Sequence, residues 1–203
     1  MGGFKPLLDI GGKPALIRLL NSISSAGLSR ITVVTGHGRE KIEAALETKG
    51  DEPSVLLSPT LRTEGSSPFV LYNENYESGM FSSIQAGIKK ATGTDAALLF
   101  PVDVPLVAAD TIKDLIAAWE KSDISRFAVP FFEGKNGHPL LIPGAYYSAI
   151  LEYTGDGGLK EIRNRHIAEM IRYETDDMGC VLDMDTPEDY NELLSYYRRS
   201  TDE

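Results

Sequence analysis

The sequence contains almost no cysteine: Cys180 is the single example in 203 residues. One thiol excludes an internal disulfide framework and a cysteine-rich zinc site, and it favours a reducing compartment. The chain also lacks an apolar run near the roughly 18 residues that a bilayer-crossing helix needs, and no signal peptide opens it. We therefore expect a soluble, cytoplasmic protein without a membrane partner, in which Cys180 is a small buried hydrophobic side chain.

Basic charge is also scarce, because 30 Asp and Glu residues stand against 20 Lys and Arg residues, for a formal net charge of −10. The whole excess falls in residues 101–203, which carry twenty acidic and ten basic groups. Such a surface repels a nucleic-acid backbone, so we expect no nucleic-acid partner. An acidic half either serves a polyphosphate ligand through Mg²⁺ or is a solvated surface, and charge alone leaves both interpretations open.

No internal repeat occurs, and strand and helix patterns alternate along the chain. Apolar residues at helical spacing predict helices at 14–26, 38–47, 79–91, 110–121, 145–153, 157–166 and 187–198. Apolar and β-branched runs predict strands at 30–36, 69–72, 96–100, 126–132, 139–142, 168–174 and 180–183. This alternation predicts one α/β domain over residues 1–203, a three-layer α/β/α sandwich with a mostly parallel, Rossmann-like sheet. The polar segment 48–68, broken by Gly and Pro, is expected to be a long exposed loop.

Acidic residues follow two predicted strands at the point where each strand ends. Asp103 comes just after the strand 96–100, and Asp183 and Asp185 come at the end of the strand 180–183. In open α/β sheets ligands bind at the carboxyl ends of the strands, and Mg²⁺ typically takes one or two carboxylates together with substrate phosphates. The spacing leaves two interpretations open: Asp103 and Asp185 form a metal site, or they are a turn residue and a helix cap.

Short motifs follow one another in a fixed order along the whole chain. They are the opening Met1-Gly-Gly-Phe-Lys5-Pro-Leu-Leu with Gly11-Gly-Lys-Pro14, then Tyr76-Glu-Ser-Gly79-Met-Phe-Ser-Ser83, Val102-Asp103-Val-Pro105, Gly137-His138-Pro139, Gly155-Asp156-Gly157-Gly158 and Leu182-Asp183-Met-Asp185-Thr-Pro-Glu-Asp189. In this order they resemble the motifs of the molybdopterin nucleotidyltransferase family, and within it those of the molybdenum cofactor cytidylyltransferase branch. Tyr76 departs from that pattern, since it stands where the branch has Trp.

The resemblance implies a nucleotidyl transfer, in which a phosphate of an acceptor attacks the α-phosphorus of a nucleoside triphosphate and pyrophosphate leaves. Such chemistry needs positioning and charge neutralisation more than a protein nucleophile. The resemblance implies that Asp103 and Asp185 hold Mg²⁺, and that Lys5 places a positive charge on the triphosphate. Lys5 and Asp103 are then the catalytic residues and also bind the nucleotide, CTP or GTP, while molybdopterin is the implied acceptor.

Four further residues take implied roles from their motifs. Ser82 and Ser83, at a predicted helix start, are expected to contact the nucleotide or the acceptor, although serine is equally common there as an N-terminal cap. His138 and Asp156 are expected to bind the acceptor. The competing interpretations are a turn histidine hydrogen-bonded to backbone and an aspartate that caps a helix.

The start of the chain departs from the family pattern. The family opens with a strand and a Gly-rich loop whose backbone amides hold the triphosphate, and this sequence begins at what resembles the Met of that signature. The resemblance therefore implies that the first strand and most of the phosphate loop are absent. The strands at 30–36 and 96–100 would each keep an unpaired edge, so we expect the chain to borrow a strand or to be less stable than an extended form.

Three functional hypotheses remain from the sequence. The first is the cofactor nucleotidyltransferase, with CTP favoured, which the motifs at 137–139 and 182–189 support. The second is a related enzyme that activates a sugar phosphate or another phosphorylated small molecule. The third is a non-catalytic binding protein without the phosphate loop. A dehydrogenase is disfavoured because no Gly-x-Gly-x-x-Gly motif follows a predicted strand.

Overall fold

The computed structural model describes residues 3–47 and 68–201, so the predicted loop at 48–68 lies, apart from Pro68, outside the described residues. The helices are α1 (Ala15–Ser25), α2 (Arg39–Glu47), α3 (Met80–Ala91), α4 (Ala109–Glu120), α5 (Tyr147–Glu152), α6 (Gly158–Asn164) and α7 (Pro187–Thr201). The strands are β1 (Asp9–Ile10), β2 (Lys13–Pro14), β3 (Thr32–Thr35), β4 (Phe69–Tyr72), β5 (Ala96–Leu99), β6 (Ala128–Phe132), β7 (Lys135–Asn136), β8 (Leu140–Pro143) and β9 (Ile171–Glu174). These bounds confirm the predicted helices to within a few residues, and the predicted strands except the last.

Local sequence signals set the ends of the helices. The chain leaves α1 through Gly27, whose φ of +87° lies in the left-handed region that glycine adopts without strain. A reciprocal capping box starts α7: the Thr186 hydroxyl accepts the Asp189 amide at 3.1 Å, and the Asp189 carboxylate accepts the Thr186 amide at 2.9 Å. None of the helices in the described ranges is long and apolar enough to cross a membrane.

The strands pair into separate sheets, and the largest of them contains both parallel and antiparallel pairs. β3 and β4 pair in parallel, whereas the larger sheet runs in the order β5–β8–β6, with β7 and β9 both paired to β6. In that larger sheet only β6–β9 is parallel. The predicted α/β class is confirmed, with the sheet mixed rather than mostly parallel. The reason is that the chain reverses after β6 through a tight turn into β7 and continues into β8, so both strands run antiparallel to β6.

Side chains of the larger sheet alternate between two helical layers. Leu98, Ala128 and Leu141 pack on one face against Leu115 and Trp119 of α4. The opposite face packs against α3, α5 and α6, and its buried members include Ile84, Ile88, Phe127, Val129, Leu140, Ile142, Ile150, Leu159 and Ile162. Because successive side chains of a strand point to opposite faces, this alternation produces the expected three-layer arrangement.

The strand predicted at 180–183 is wrong. Residues Met178–Cys180 instead form a short 3-10 turn, and no strand follows it before α7. Asp177 causes the turn, because one carboxylate oxygen accepts a backbone amide within the turn at 2.9 Å. The other oxygen accepts the Ala108 amide and the Thr111 hydroxyl, each at 2.8 Å. Together with a longer contact from the Tyr196 hydroxyl, at 3.4 Å, these donors hold the segment away from the sheet. The acidic residues that follow therefore lie in a loop and not at a strand end.

Two strands keep one edge unpaired within the described residues. β3 pairs only with β4, and β5 pairs only with β8. Helix α3 packs on both β3 and β5. The β1 and β2 strands near the start of the chain pair with each other and lend no strand to either edge. The expectation of two unpaired edges is therefore met in the part of the chain that the structure describes.

The backbone alternation along each strand identifies the residues at these edges. The Phe69 and Asn73 amides donate to the carbonyl groups of Ile31 and Thr35, so Val34 presents its own backbone groups to the open side of β3. In β5 the same alternation, counted from the bond between Gly144 and Asp95, places Leu98 at the open side and Leu99 at the paired side.

We predict that the amides of Val34 and Leu98 exchange with deuterium at least about ten-fold faster than those of Thr35 and Leu99, because only the latter pair within the sheet. Hydrogen exchange followed by NMR measures the four rates in one sample. Equal protection of all four amides would show that another strand pairs with these edges.

Candidate active site

The candidate site lies where two distant parts of the chain meet. The Lys5 side chain donates from its Nζ atom to Oδ1 of Asp185 at 2.5 Å, across 180 sequence positions. A fully buried cluster keeps this contact in place, since Ile10, a few residues after Lys5, packs against Met184 and Leu193. The local chain on each side of the contact is therefore anchored in the hydrophobic core, while the charged side chains remain accessible.

Three carboxylates, those of Asp103, Asp183 and Asp185, lie within electrostatic range of the Lys5 ammonium. Burial raises the pKa of Asp103, a backbone hydrogen bond lowers it, and the charges of Asp185 and Lys5 act in opposite directions on it. Burial also raises the pKa of Asp183, although its contact with the Asp185 amide, at 3.4 Å, opposes that rise. The pKa of Lys5 is raised, above all by its hydrogen bond to Asp185. The predicted residues Lys5, Asp103 and Asp185 thus form one electrostatic group.

Asp103 and Asp185 fit a magnesium ion by donor type. Mg²⁺ prefers oxygen ligands and typically takes one or two carboxylates, with water and substrate phosphates completing its shell. Within residues 3–47 and 68–201, no group of three or more His, Cys, Asp and Glu side chains has the arrangement of a metal cage. The ammonium of Lys5 at Asp185 also shows that this carboxylate accepts a cation. Shared binding of one ion by Asp103 and Asp185 stays a prediction.

Ser82 and Ser83 bond within the protein instead of capping their helix. Gly79 precedes α3 as its cap residue, and no side chain caps the helix. The side-chain amide of Asn73 donates to both serine Oγ atoms, at 2.9 and 3.0 Å, and the Ser82 hydroxyl donates to the Gly79 carbonyl at 2.8 Å. The interpretation of these serines as N-terminal caps is therefore wrong. Sequence reasoning missed the nearly buried Asn73, because a single Asn after a strand is typical of any loop.

The Gly-His-Pro segment is held on both sides by backbone hydrogen bonds. The His138 amide donates to the Cys180 carbonyl and the Gly137 amide to the Pro130 carbonyl, each at 2.8 Å. Gly137 is required there, because a Cβ atom would lie 2.6 Å from the Cys180 Sγ atom. Cys180 itself is fully buried, as expected, and burial raises the pKa of its thiol to about 12.

The His138 ring is within electrostatic range of Asp183, one of these carboxylates. Burial lowers its pKa most, the Arg163 guanidinium lowers it further, and Asp183 raises it. The imidazole is therefore neutral at pH 7. Its Nδ1 atom is buried and finds no hydrogen-bond partner in the described part of the chain, so a turn histidine bonded to backbone through this atom is not what the structure contains.

Asp156 lies apart from the carboxylate group, in the exposed turn before α6. Gly157 is the cap residue of α6 and no side chain caps that helix, so capping does not explain the aspartate. The structure thus gathers some of the predicted residues and not others. Lys5, Asp103 and Asp185 come together and Asp183 joins them, whereas Ser82 and Ser83 belong to the Asn73 cluster and Asp156 to the surface.

Known proteins share both sequence and fold with this chain. Residues 1–170 match the family model described as MobA-like NTP transferase domain. Among curated proteins, the chain is similar to the bifunctional protein GlmU of Desulfitobacterium hafniense strain Y51, at 30% identity over 112 residues. That match covers 55% of this chain and 20% of the relative, so the chain spans about a fifth of the length of such a relative.

Two solved structures show the same fold. Rv0371c of Mycobacterium tuberculosis H37Rv, in complex with manganese, has a TM-score of 0.71 at 21% identity, covering 96% of this chain and 93% of the other. CMP:2-keto-3-deoxy-manno-octonic acid synthetase, complexed with CTP, has a TM-score of 0.65 at 12% identity, covering 97% of this chain and 92% of the other. At these identities the likeness concerns the fold, and it confirms the predicted nucleotidyltransferase architecture.

We predict that Lys5→Met binds Mn²⁺ about three- to five-fold more tightly than the unchanged protein in the absence of nucleotide. The ammonium competes with a metal ion for Asp185. Without it, the metal no longer has to break an exposed ion pair, and its binding gains about the free energy of that pair. Electron paramagnetic resonance of free Mn²⁺ measures the affinity. Lys113→Met, which removes a 2.9 Å ion pair with Asp110 on α4, is the matched control and should change nothing. Unchanged or weaker binding by Lys5→Met would contradict this competition.

We also predict that Gly137→Ala lowers the free energy of unfolding by about 1–3 kcal/mol, because its methyl group would overlap the Cys180 thiol and carbonyl. Urea titration followed by circular dichroism measures the loss. Gly87→Ala on α3 is the control: its Cβ atom would lie 3.4 Å from Val34, an ordinary contact, and alanine favours a helix over glycine. Equal stability of the two variants would show that the Gly-His-Pro segment can move away from Cys180.

Proposed function

Since the chain belongs to the MobA-like NTP transferase domain family, we propose that it transfers a nucleotidyl group from a nucleoside triphosphate to a phosphorylated acceptor and releases pyrophosphate. The observation that carries this proposal is the ion pair of Lys5 with Asp185, both of whose charges act on the Asp103 carboxylate. An ammonium beside two carboxylates suits a triphosphate that arrives with a divalent metal, because both the phosphates and the metal then meet opposite charge.

Mg²⁺ is the metal proposed for this site, with Asp103 and Asp185 as its protein ligands. When bound, such an ion neutralises charge on the phosphate oxygens of the transferring group. Burial alone disfavours the ionised form of Asp103, and a nearby cation reverses that preference. The manganese complex of the structurally similar Rv0371c supports a divalent ion in this fold.

Lys5 is proposed as the point charge that positions the triphosphate. Its side chain is half-buried and already directed at the carboxylates, so a small movement transfers the ammonium from Asp185 to a phosphate oxygen. Ser82 and Ser83 are proposed on the nucleotide side. Of the two, Ser83 is better placed, because its Oγ atom accepts from Asn73 and keeps its own hydrogen. The Ser82 hydroxyl is instead engaged by the carbonyl groups of Asn75 and Gly79.

His138 and Asp156 are proposed to bind the acceptor, which the motif resemblance names as molybdopterin. The neutral ring of His138, next to Asp183, offers a hydrogen-bond donor without adding charge, and Asp156 is exposed at the start of α6. CTP is the favoured nucleotide, in keeping with the cytidylyltransferase motifs at 137–139 and 182–189. GTP is the alternative.

A related enzyme that activates a sugar-derived acceptor is the second candidate. The fold likeness to CMP:2-keto-3-deoxy-manno-octonic acid synthetase, a protein solved with CTP, favours it. An assay of pyrophosphate release with Mg²⁺, each of CTP, GTP and ATP, and either molybdopterin or a panel of sugar phosphates separates the two candidates. Binding of magnesium nucleotide without turnover on any acceptor would support the non-catalytic hypothesis instead.

We predict that Asp103→Asn lowers turnover at least about 100-fold, because it removes a charged metal ligand at the transferring phosphate. The thermal melt should change little, since Asp103 lies in a turn after β5 and contributes nothing to the hydrophobic core. Asp110→Asn, at an exposed carboxylate of α4, is the control and should keep full activity. Retained turnover by Asp103→Asn would exclude Asp103 as a ligand of the essential metal.

A further inference from the structure

Two buried side-chain polar atoms lack a hydrogen-bond partner within residues 3–47 and 68–201: Nδ1 of His138 and Nε of Arg163. A polar atom that is shielded from water and left unpaired is destabilising, so such atoms are uncommon in folded proteins and require an explanation. The two residues come from separate segments, the loop before β8 and the helix α6. The contact of Lys5 with Asp185 involves neither of them.

The two side chains lie within electrostatic range of one another. The backbone that carries each of them is held in place by contacts elsewhere in the fold. The Arg163 guanidinium shifts the titration of the His138 imidazole. The His138 amide is tied to the Cys180 carbonyl at 2.8 Å. Helix α6 is anchored through Leu159 and Ile162, which are buried in the core shared with α3 and α5. Groups held in this way are preorganised for a ligand that enters between them.

Arg163 carries a positive charge that no carboxylate of residues 3–47 and 68–201 neutralises through an ion pair. The nearby Glu161 is engaged elsewhere, by the Tyr153 hydroxyl and by Arg165 at 2.5 Å. The guanidinium of Arg163 is held at its tip by one long contact, from Nη2 to the Asn164 Oδ1 at 3.3 Å. The edge formed by Nε and Nη2 therefore has only this one contact to give up to a ligand within the described residues.

We propose that Arg163 and His138 form a binding site for a phosphate group of the acceptor. Arg163 holds two phosphate oxygens through Nε and Nη2, the paired geometry for which a guanidinium is suited. His138, in the tautomer protonated at Nδ1, donates to the same group. The ligand satisfies both unpaired atoms at once, which explains why the protein keeps them. Only the identification of the ligand as the acceptor rests on the proposed function; the binding of a phosphate group does not.

Titration of the ¹⁵N-labelled protein with inorganic phosphate tests the site, with the arginine Nε–H resonances as the readout. We expect a saturable shift of the Arg163 resonance and a smaller response at Arg165. Arg163→Met and Arg163→Lys should both weaken phosphate binding about ten-fold, because lysine restores the charge but not the paired donors. Arg165→Met, on the same helix, is the matched control and should bind as the unchanged protein does.

The result that would overturn the site is a lack of saturation at Arg163, or equal losses in Arg163→Met and Arg165→Met, which indicate general attraction of anions. A second titration contains saturating Mg²⁺ and CTP and separates the acceptor from the nucleotide as the source of the phosphate. Persisting phosphate binding supports the acceptor assignment, and its loss overturns that assignment. Neither titration requires turnover, so failure here is distinct from failure of the proposed reaction. Thermal melts of each variant confirm folding.

Discussion

The positive charge of Lys5 allows acidic side chains from distant parts of the chain to lie together at one end of this fold. Asp103 and Asp185 repel one another, and the Lys5 ammonium, which attracts both, offsets that repulsion. Lys5 can act there only because the chain near it packs on α7, where the Arg18 guanidinium lies 4.1 Å from the centre of the Tyr197 ring. The packing of the first helix on the last is therefore a condition for the site, although neither helix carries a reacting group.

Much of the fold could be predicted because its signals are local. A few consecutive residues specify the apolar face of α1 and the cap of α7, and both elements occur where they were expected. The segment 180–183 shows the limit of such reasoning. Its apolar residues are typical of a strand, but the carboxylate of Asp177 bonds to Ala108 and Thr111, which are 69 and 66 positions away. A pattern of neighbouring residues contains no information on partners at that distance.

The residues of the candidate site also divide into those that sequence motifs identify and those that only contacts in the folded chain reveal. Lys5, Asp103 and Asp185 could be identified because their motifs are recognisable, and the family is shown at the level of a MobA-like NTP transferase domain. The molybdenum cofactor branch, the nucleotide and the acceptor remain proposals, since they depend on contacts with ligands. Arg163 could not be identified from sequence, because an arginine on a charged helix is usually a solvated surface side chain. Only the three-dimensional structure reveals that its Nε atom is buried without a hydrogen-bond partner in the described residues.

The 180 positions that separate Lys5 from Asp185 have a consequence for how the protein is made. A chain emerging from the ribosome exposes Lys5 long before Asp185, because 180 positions separate the two residues. The helices and hairpin between them, α1 through α6, can collapse earlier because most of their contacts are closer in sequence. The contact of Lys5 with Asp185 then forms after most of this core, when the segment around Lys5 meets α7. A product that terminates before Asp185 would accordingly contain most of the core and Asp103, but Lys5 would lack its carboxylate partner.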